Sequence, residues 1–191
     1  MSVSESPKGG RLAPSSPPER SALPAPEPPT IAFEADGCVM AGWRNVTIAV
    51  WGTQGTMVLV SELTELARRQ ARQYPRISSV HLVVNQAPLP TSDARAELQN
   101  LTAQYDARLV ALVTMIEGTG FWASAMRSFI TGMHVLERRS YKIKTCSTPH
   151  EVGQWLAGPH SADSGVEVSS EQLERVLLDL LARPSLRKRD V

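Results

Sequence analysis

The chain has 191 residues, of which 42% are hydrophobic, 5% aromatic and 20% charged, and its formal net charge is +1. This length suits one ordinary domain with terminal segments, and the balanced charge argues against a strongly basic nucleic-acid-binding protein. The two cysteines are too few for a disulfide framework or a cysteine-based zinc site, and no apolar run approaches the roughly 20 residues that cross a bilayer. We therefore expect a cytoplasmic protein without a membrane span, a metal site or a cofactor.

The first 30 residues are rich in proline. Prolines stand at positions 7, 14, 17, 18, 24, 26, 28 and 29, mostly separated by serine, alanine, glutamate and glycine. Such a segment buries too little apolar surface to offset the entropy lost on ordering it, which predicts a disordered arm over residues 1–30. The arm is either a passive spacer or a proline-rich docking ligand.

A β-hairpin and a central strand come next. Residues 31–34 and 38–43 have strand patterns, and Asp36-Gly37 between them is a hairpin turn signal. The β-branched run at 46–51 predicts a central strand that ends at Gly52.

Helices and strands then alternate along the chain. The apolar spacing predicts helices at 56–74, 92–108 and 121–139, and strands at 80–84, 109–116 and 141–146. Lys142 and Lys144 place the last strand at an edge of the sheet, where charge discourages pairing with another chain. This alternation predicts an α/β fold, with a small, mostly parallel or mixed sheet of four to six strands and helices packed on it.

The C-terminal part begins with a capping signal. Thr148, Pro149 and Glu151 predict the start of a short helix that ends at Leu156. We divide the chain into an α/β domain at 31–158, a linker at 159–168, an amphipathic helix at 169–183 and a basic tail at 184–191. The apolar stripe of the C-terminal helix, formed by Leu173, Leu177 and Leu180, either folds back onto the domain or mediates self-association.

Two turns that contain glycine lie between a strand and a helix. The first contains Gly52, Gly55 and Thr56, and the second contains Gly118 and Gly120. Backbone amides at such turns can receive an anion, although neither turn has the lysine or the glycine spacing of a nucleotide fingerprint. The alternative is a plain strand-to-helix connection. We find no catalytic set in the sequence, and the four histidines lack the spacing of a zinc site.

The start of the second helix is the most suggestive local feature. Thr91 and Ser92 follow Pro88 and Pro90 at the end of a buried strand, which is where open α/β sheets place binding sites. Either residue suits helix capping. The alternative is a phosphorylation switch, in which a phosphate would meet the positive end of the helix and add nearly two charges to an interaction surface.

This order of elements resembles the STAS domain family, of the anti-sigma-factor-antagonist type. The resemblance covers roughly residues 31–158 and depends on four segments. Two are the strands at 46–52 and 109–116. The third is the strand at 80–84 with the Thr91-Ser92-Asp93 helix start, and the fourth is the closing run Glu151-Val152-Gly153-Gln154-Trp155-Leu156. The last run is similar to the Glu-Ala-x-x-Trp-Leu ending of many such domains. The resemblance implies a bacterial, non-catalytic module that binds another protein. It also implies that Ser92, with Thr91 beside it, corresponds to the serine that a partner kinase phosphorylates.

We therefore expect a non-catalytic regulatory or protein-interaction module of the STAS-like type, with another protein as its partner and no specific nucleic acid. The alternative is a domain or enzyme that binds a small ligand, either a nucleotide or an anionic metabolite, at the glycine-bearing turns.

Overall fold

The computed structural model describes residues 27–35, 37–84, 86–135 and 139–186, with the backbone alone at 133–135. The predictions for residues 1–26 of the arm, for Asp36, for the third helix beyond Val135 and for the tail from Arg187 onward fall outside this part of the chain.

The described residues form an α/β fold with a six-stranded mixed sheet and five helices, which confirms the predicted fold class. The strands are β1 (Thr30–Ala35), β2 (Cys38–Trp43), β3 (Val46–Trp51), β4 (Ile77–Val83), β5 (Leu109–Ile116) and β6 (Lys142–Cys146). The helices are α1 (Met57–Gln73), α2 (Ser92–Gln104), α3 (Phe121–Val135), α4 (Pro149–Ser164) and α5 (Ser170–Leu181), and a 3-10 turn follows at Pro184–Leu186.

The strands lie side by side in chain order, from β1 to β6. β2 is antiparallel to both of its neighbours, β1 and β3, whereas β3, β4, β5 and β6 run parallel. Every residue of β2, β3 and β5 is buried, as expected for strands that helices cover on both faces. β6 lies at one edge with Lys142 and Lys144 exposed, so its predicted edge position is confirmed.

The first three helices cover one face of the sheet. The side of α1 that faces the sheet contains Val60, Leu63 and Leu66, all of which are buried. The core that α1 and α2 share with the sheet contains Met40, Ala49 and Trp51. The α3 residues Ala123, Met126 and Ile130 pack separately, around Ile116 at the end of β5.

Helices α4 and α5 cover the opposite face. The predicted linker over residues 159–168 is wrong in its first part, because α4 continues through Pro159 to Ser164. A proline normally ends a helix, but here His160 is fully buried and bonded to the sheet, and that tertiary contact outweighs the local signal. The helix ends at Gly165, whose φ of +72° suits a left-handed cap.

The C-terminal helix belongs to the same core as the sheet. Leu173, Leu177 and Leu180 of α5 are at most 1% exposed and pack with residues of β2 and β3. The chain therefore folds back onto the domain, and this stripe of leucines is not free to mediate self-association. Beyond α5, the Arg183 guanidinium lies 2.7 Å from the Glu34 carboxylate, which ties the C-terminal segment to β1.

Order also begins before residue 30, the predicted end of the arm. The indole Nε1 of Trp43 donates a hydrogen bond of 2.8 Å to the carbonyl of Glu27. The residues just before β1 therefore contact the sheet.

Candidate functional site

The loops that follow β3, β4 and β5 meet at the carboxyl edge of the parallel strands. The amide of Thr91 donates to the Gly55 carbonyl at 3.0 Å, and the Gln54 side chain donates to the Leu89 carbonyl at the same distance. The Glu117 amide donates to the Val83 carbonyl at 2.9 Å. These bonds hold the three loops together at the edge where open α/β sheets place their binding sites.

The structure brings only the first glycine turn to the start of α2. Gly55 lies against Pro90, which a Cβ at position 55 would approach to 3.1 Å, and the Gly52 amide donates to the Gly37 carbonyl at 2.6 Å. Thr56 precedes α1 as its N-cap, and its side chain makes no capping hydrogen bond.

The second glycine turn lies farther along the same edge. Gly118 and Gly120 have φ angles of +84° and +91°, which favour glycine, and a Cβ at either position would have no neighbour within 4 Å. Because β4 separates β3 from β5, the two turns are about two strand spacings apart, roughly 10 Å. They form two separate loops rather than one cradle, and anion binding at either loop stays a prediction.

Thr91 and Ser92 differ in their surroundings. Thr91 is the N-cap residue of α2, but its side chain makes no capping bond to the helix. Its hydroxyl instead contacts the Asp93 carboxylate and lies 3.5 Å from the Gly55 carbonyl. The hydrogen bond from Thr91, followed by the bond from the Ala94 amide, lowers the pKa of Asp93. Ser92, the first residue of α2, is exposed.

Exposed apolar side chains border this edge. Val58 in the first turn of α1 is 69% exposed, and Phe121, which begins α3, is 91% exposed. Met57 and Leu89 are also exposed, and Leu178 on α5 is the one other large apolar side chain exposed within the described ranges. A group of exposed apolar residues on one side of a protein is typical of an interaction surface.

A cavity of about 120 Å³ lies between α2 and α3, above β3, β4 and β5. Its walls are mostly apolar, with a few hydroxyl, amide and imidazole groups. The lining residues are Trp51, Thr53, Gly55, His81, Val83, Ala87, Pro88, Pro90, Leu98, Gln99, Thr102, Leu112, Thr114, Met126, Phe129 and Ile130. The cavity separates the α1–α2 side of the core from the packing around α3.

An aromatic pair forms part of the cavity wall. The rings of Trp51 and His81 are nearly parallel, with an angle of 7° between their planes and 6.1 Å between their centroids. The Trp51 indole donates to Nδ1 of His81 at 3.2 Å, so that nitrogen accepts and Nε2 of the neutral ring carries the proton. Nε2 lies 3.0 Å from the Ser79 hydroxyl.

The continuous apolar run predicted at 80–84 does not indicate this wall, because Ser79, His81 and Val83 alternate onto the face below α2 and α3. That period of two was the available signal, because alternate residues of a strand point to the same face. Thr114 of β5 also lines the cavity, because it pairs with His81 of β4 and therefore points to the same face of the sheet.

A second set of polar groups is sealed under α4. Nδ1 of His160 lies 2.8 Å from the Ser78 hydroxyl, and its Nε2 lies 2.7 Å from the Asn45 side-chain oxygen. All three residues are 0% exposed. Burial lowers the pKa of His160 to about 4, so the ring is neutral near pH 7. A serine beside a histidine resembles a nucleophile with its base, but here no substrate can reach it, and the set instead joins α4 to β3 and β4.

The two cysteines, Cys38 in β2 and Cys146 in β6, are buried and free. Burial raises the pKa of Cys38 to about 12, and burial together with the charge of Glu151 raises the pKa of Cys146 to about 11. A nucleophilic cysteine needs a lowered pKa, so these thiols are suited to packing rather than to chemistry. Across the described ranges, no three histidine, cysteine, aspartate or glutamate residues group as metal ligands.

None of the helices in the described part of the chain is both long and apolar enough to span a membrane. No protein family and no curated protein sequence matches this chain.

Proposed function

We propose that this protein is a non-catalytic regulatory module of the STAS-like type, which binds another protein through the carboxyl edge of its parallel strands. The observation that carries the proposal is the position of the exposed apolar residues. Val58, Leu89 and Phe121 belong to three different loop or helix-start segments, yet all three lie at the same edge. Burial of such residues against a partner would remove apolar surface from water.

Ser92 supplies the switch in this proposal. It is exposed in the first turn of α2, and the preceding residue is bonded to the loop that leads into α1. A phosphate on Ser92 would face the positive end of α2 and would add nearly two negative charges beside the apolar surface. Because a charge next to an apolar interface is costly to desolvate, phosphorylation would weaken binding.

The surroundings of the reactive side chains support a binding role over a catalytic one. The Ser78–His160 pair is sealed inside the core, and the pKa of each thiol is raised. The carboxyl edge exposes apolar side chains such as Val58 and Phe121 beside polar ones such as Gln54 and Glu117, a mixture that is typical of recognition surfaces.

The test is affinity capture with the full chain and three single variants. We expect Phe121→Ser and Ser92→Glu to lower recovery of the partner at least about tenfold, which corresponds to roughly 1.4 kcal/mol. Leu178→Ser is the matched control, because Leu178 is exposed on α5, which covers the face of the sheet opposite α1, α2 and α3, and its loss should leave recovery unchanged. Quantitative mass spectrometry of the captured proteins provides the readout.

The control variant also defines failure. If no protein is captured reproducibly, or if Leu178→Ser lowers recovery as much as Phe121→Ser does, the carboxyl edge is not the binding surface. If recovery of the partner falls with Phe121→Ser but is unchanged with Ser92→Glu, the carboxyl edge is the binding surface and Ser92 is not a phosphorylation switch.

A further inference from the structure

We propose that the cavity between α2 and α3 is a binding site for a small uncharged molecule that contains a single aromatic ring. This cavity adjoins the exposed surface at the carboxyl edge, but the inference does not depend on the function proposed for that surface. Four features support the assignment, namely the size of the cavity, its lining, its aromatic wall and its polar groups.

The size fits one ring. The cavity measures about 120 Å³, whereas a water molecule needs only about 10–15 Å³ of such space. An engineered apolar cavity of about 150 Å³ in another protein binds benzene, so the space here is of the size that holds a single ring.

The lining favours an uncharged molecule. Within the described part of the chain, the residues that line the cavity include no lysine, arginine, aspartate or glutamate, and His81 is the one titratable side chain among them. Arg95, the one cation of α2, lies with its guanidinium over the ring of Phe129 at 5.6 Å and does not itself line the cavity. A carboxylate placed inside would lose its hydration without gaining a counter-ion on the wall, and this desolvation disfavours charged ligands.

Flat groups on the walls favour an aromatic ring over an aliphatic chain. Trp51 and His81 lie side by side with nearly parallel planes, and Phe129 stands on the α3 side. Offset or edge-to-face contacts between aromatic rings contribute binding free energy in addition to that from the burial of apolar area. Pro88 and Pro90 add rigid apolar surface at the end next to the loops.

The polar groups suit one hydrogen-bonding substituent. Thr114 presents its side chain from β5 in register with His81, and Gln99 lines the cavity from α2. The imidazole nitrogens already have partners in Trp51 and Ser79, so the hydroxyl of Thr114 and the amide of Gln99 are the groups we assign to the ligand. A hydroxymethyl group or a phenolic hydroxyl can both donate and accept in such a position.

The experiment is calorimetric titration of the full chain with three probes of similar size. We expect benzyl alcohol to bind saturably with a dissociation constant below about 1 mM. Cyclohexylmethanol, which lacks the aromatic ring, should bind at least about threefold more weakly, and benzoate at pH 7 at least about tenfold more weakly.

Two cavity-filling variants locate the site. Leu98→Phe fills the space from α2 and Ile130→Phe fills it from α3, and each should weaken the binding of benzyl alcohol at least about tenfold. Leu178→Phe makes the same change as Leu98→Phe on the exposed side of α5 and should leave the affinity within about twofold of the original. Urea unfolding of each variant, followed by circular dichroism, establishes that the protein used in the titration is folded.

Several results would overturn the proposal. If the unaltered chain does not bind benzyl alcohol saturably, the cavity is not a binding site for this class of molecule. Unchanged affinity in the folded filling variants would place the ligand elsewhere. Benzoate or cyclohexylmethanol binding as tightly as benzyl alcohol would show that the class of ligand is wrong.

Discussion

At the scale of single residues, the most consequential group is His160. Its ring is completely buried between Ser78 and Asn45, and burial lowers its pKa from 6.5 to about 4. The folded state therefore keeps the imidazole neutral, whereas the unfolded chain takes up a proton as soon as the pH falls below 6.5. Proton uptake by the unfolded state alone lowers the stability of the folded state over this range.

The resulting prediction concerns stability between pH 6.5 and pH 4. The free energy of unfolding should fall by about 3 kcal/mol over this window because of His160, since each unit of pKa difference corresponds to about 1.36 kcal/mol. The contribution is fully present above pH 6.5 and is lost as the pH falls towards 4. Urea unfolding at half-unit pH intervals measures this dependence.

Two variants isolate the contribution of His160 from that of the acidic groups. His160→Gln should be less stable near pH 7 but should show a shallower pH dependence between 6.5 and 4. His150→Gln is the comparison variant, because it removes an imidazole from an exposed position on α4, 2.8 Å from the Glu174 carboxylate, and it should not reproduce the shallower pH dependence of His160→Gln. Equal slopes in His160→Gln and the unaltered protein would show that the buried ring does not resist protonation.

At the scale of elements, the contact between α4 and α5 depends on a glycine. A Cβ at Gly153 would lie 2.6 Å from the backbone carbonyl oxygen of Ser170, at the start of α5. Because that oxygen belongs to the backbone, a side chain at position 153 would force the two helices apart. Gly158, on the same helix, is exposed and has no neighbour within 4 Å of such a Cβ.

These two glycines make a matched pair for substitution by alanine. Gly153→Ala should lower the free energy of unfolding by about 1–3 kcal/mol, since overpacking outweighs the gain in helix propensity. Gly158→Ala should change it by less than about 1 kcal/mol, because the gain in helix propensity is opposed by contact between the new Cβ and the ring of Pro159. Chemical denaturation of both variants measures the difference, and a stabilising effect of Gly153→Ala would contradict the close approach of α4 to α5.

The elements also show what a sequence can predict. The β-branched run of β3 and the buried run of β5 were predicted with their observed bounds, because the local pattern and the tertiary environment agree there. The length of α4 was missed because Gly158 and Pro159 are local stop signals, whereas the burial of His160 is a tertiary effect. The cavity could not be predicted, since its volume depends on the spacing of α2 and α3, which no local pattern specifies.

At the scale of the whole molecule, the C-terminal helix is part of the core that stabilises the sheet. Leu177 of α5 is in the same buried cluster as Trp43 of β2 and Ile48 of β3. Sequence patterns showed the apolar stripe of this helix but not its partner, because a stripe on a helix specifies which side is buried and not what covers it. The observed packing predicts that the helix and the sheet unfold together.

Two adjacent leucines test this coupling. Leu177 is 0% exposed and Leu178 is 49% exposed, although both lie on α5. Leu177→Ala should lower the free energy of unfolding by about 2–5 kcal/mol, because it removes buried methyl groups and leaves a cavity in the shared core. Leu178→Ala should change it by no more than about 0.5 kcal/mol, as is usual for exposed positions.

The readout must distinguish one unfolding transition from two. Urea unfolding should be followed both by far-ultraviolet circular dichroism and by tryptophan fluorescence, to which the sheet residues Trp43 and Trp51 contribute. We expect the midpoints of both signals to move to the same lower urea concentration in Leu177→Ala, because the loss of packing in α5 also destabilises the sheet that this helix covers. A fluorescence transition that stays in place while part of the helical signal is lost earlier would instead make α5 an independently unfolding segment, and the leucine stripe would then be open to another partner.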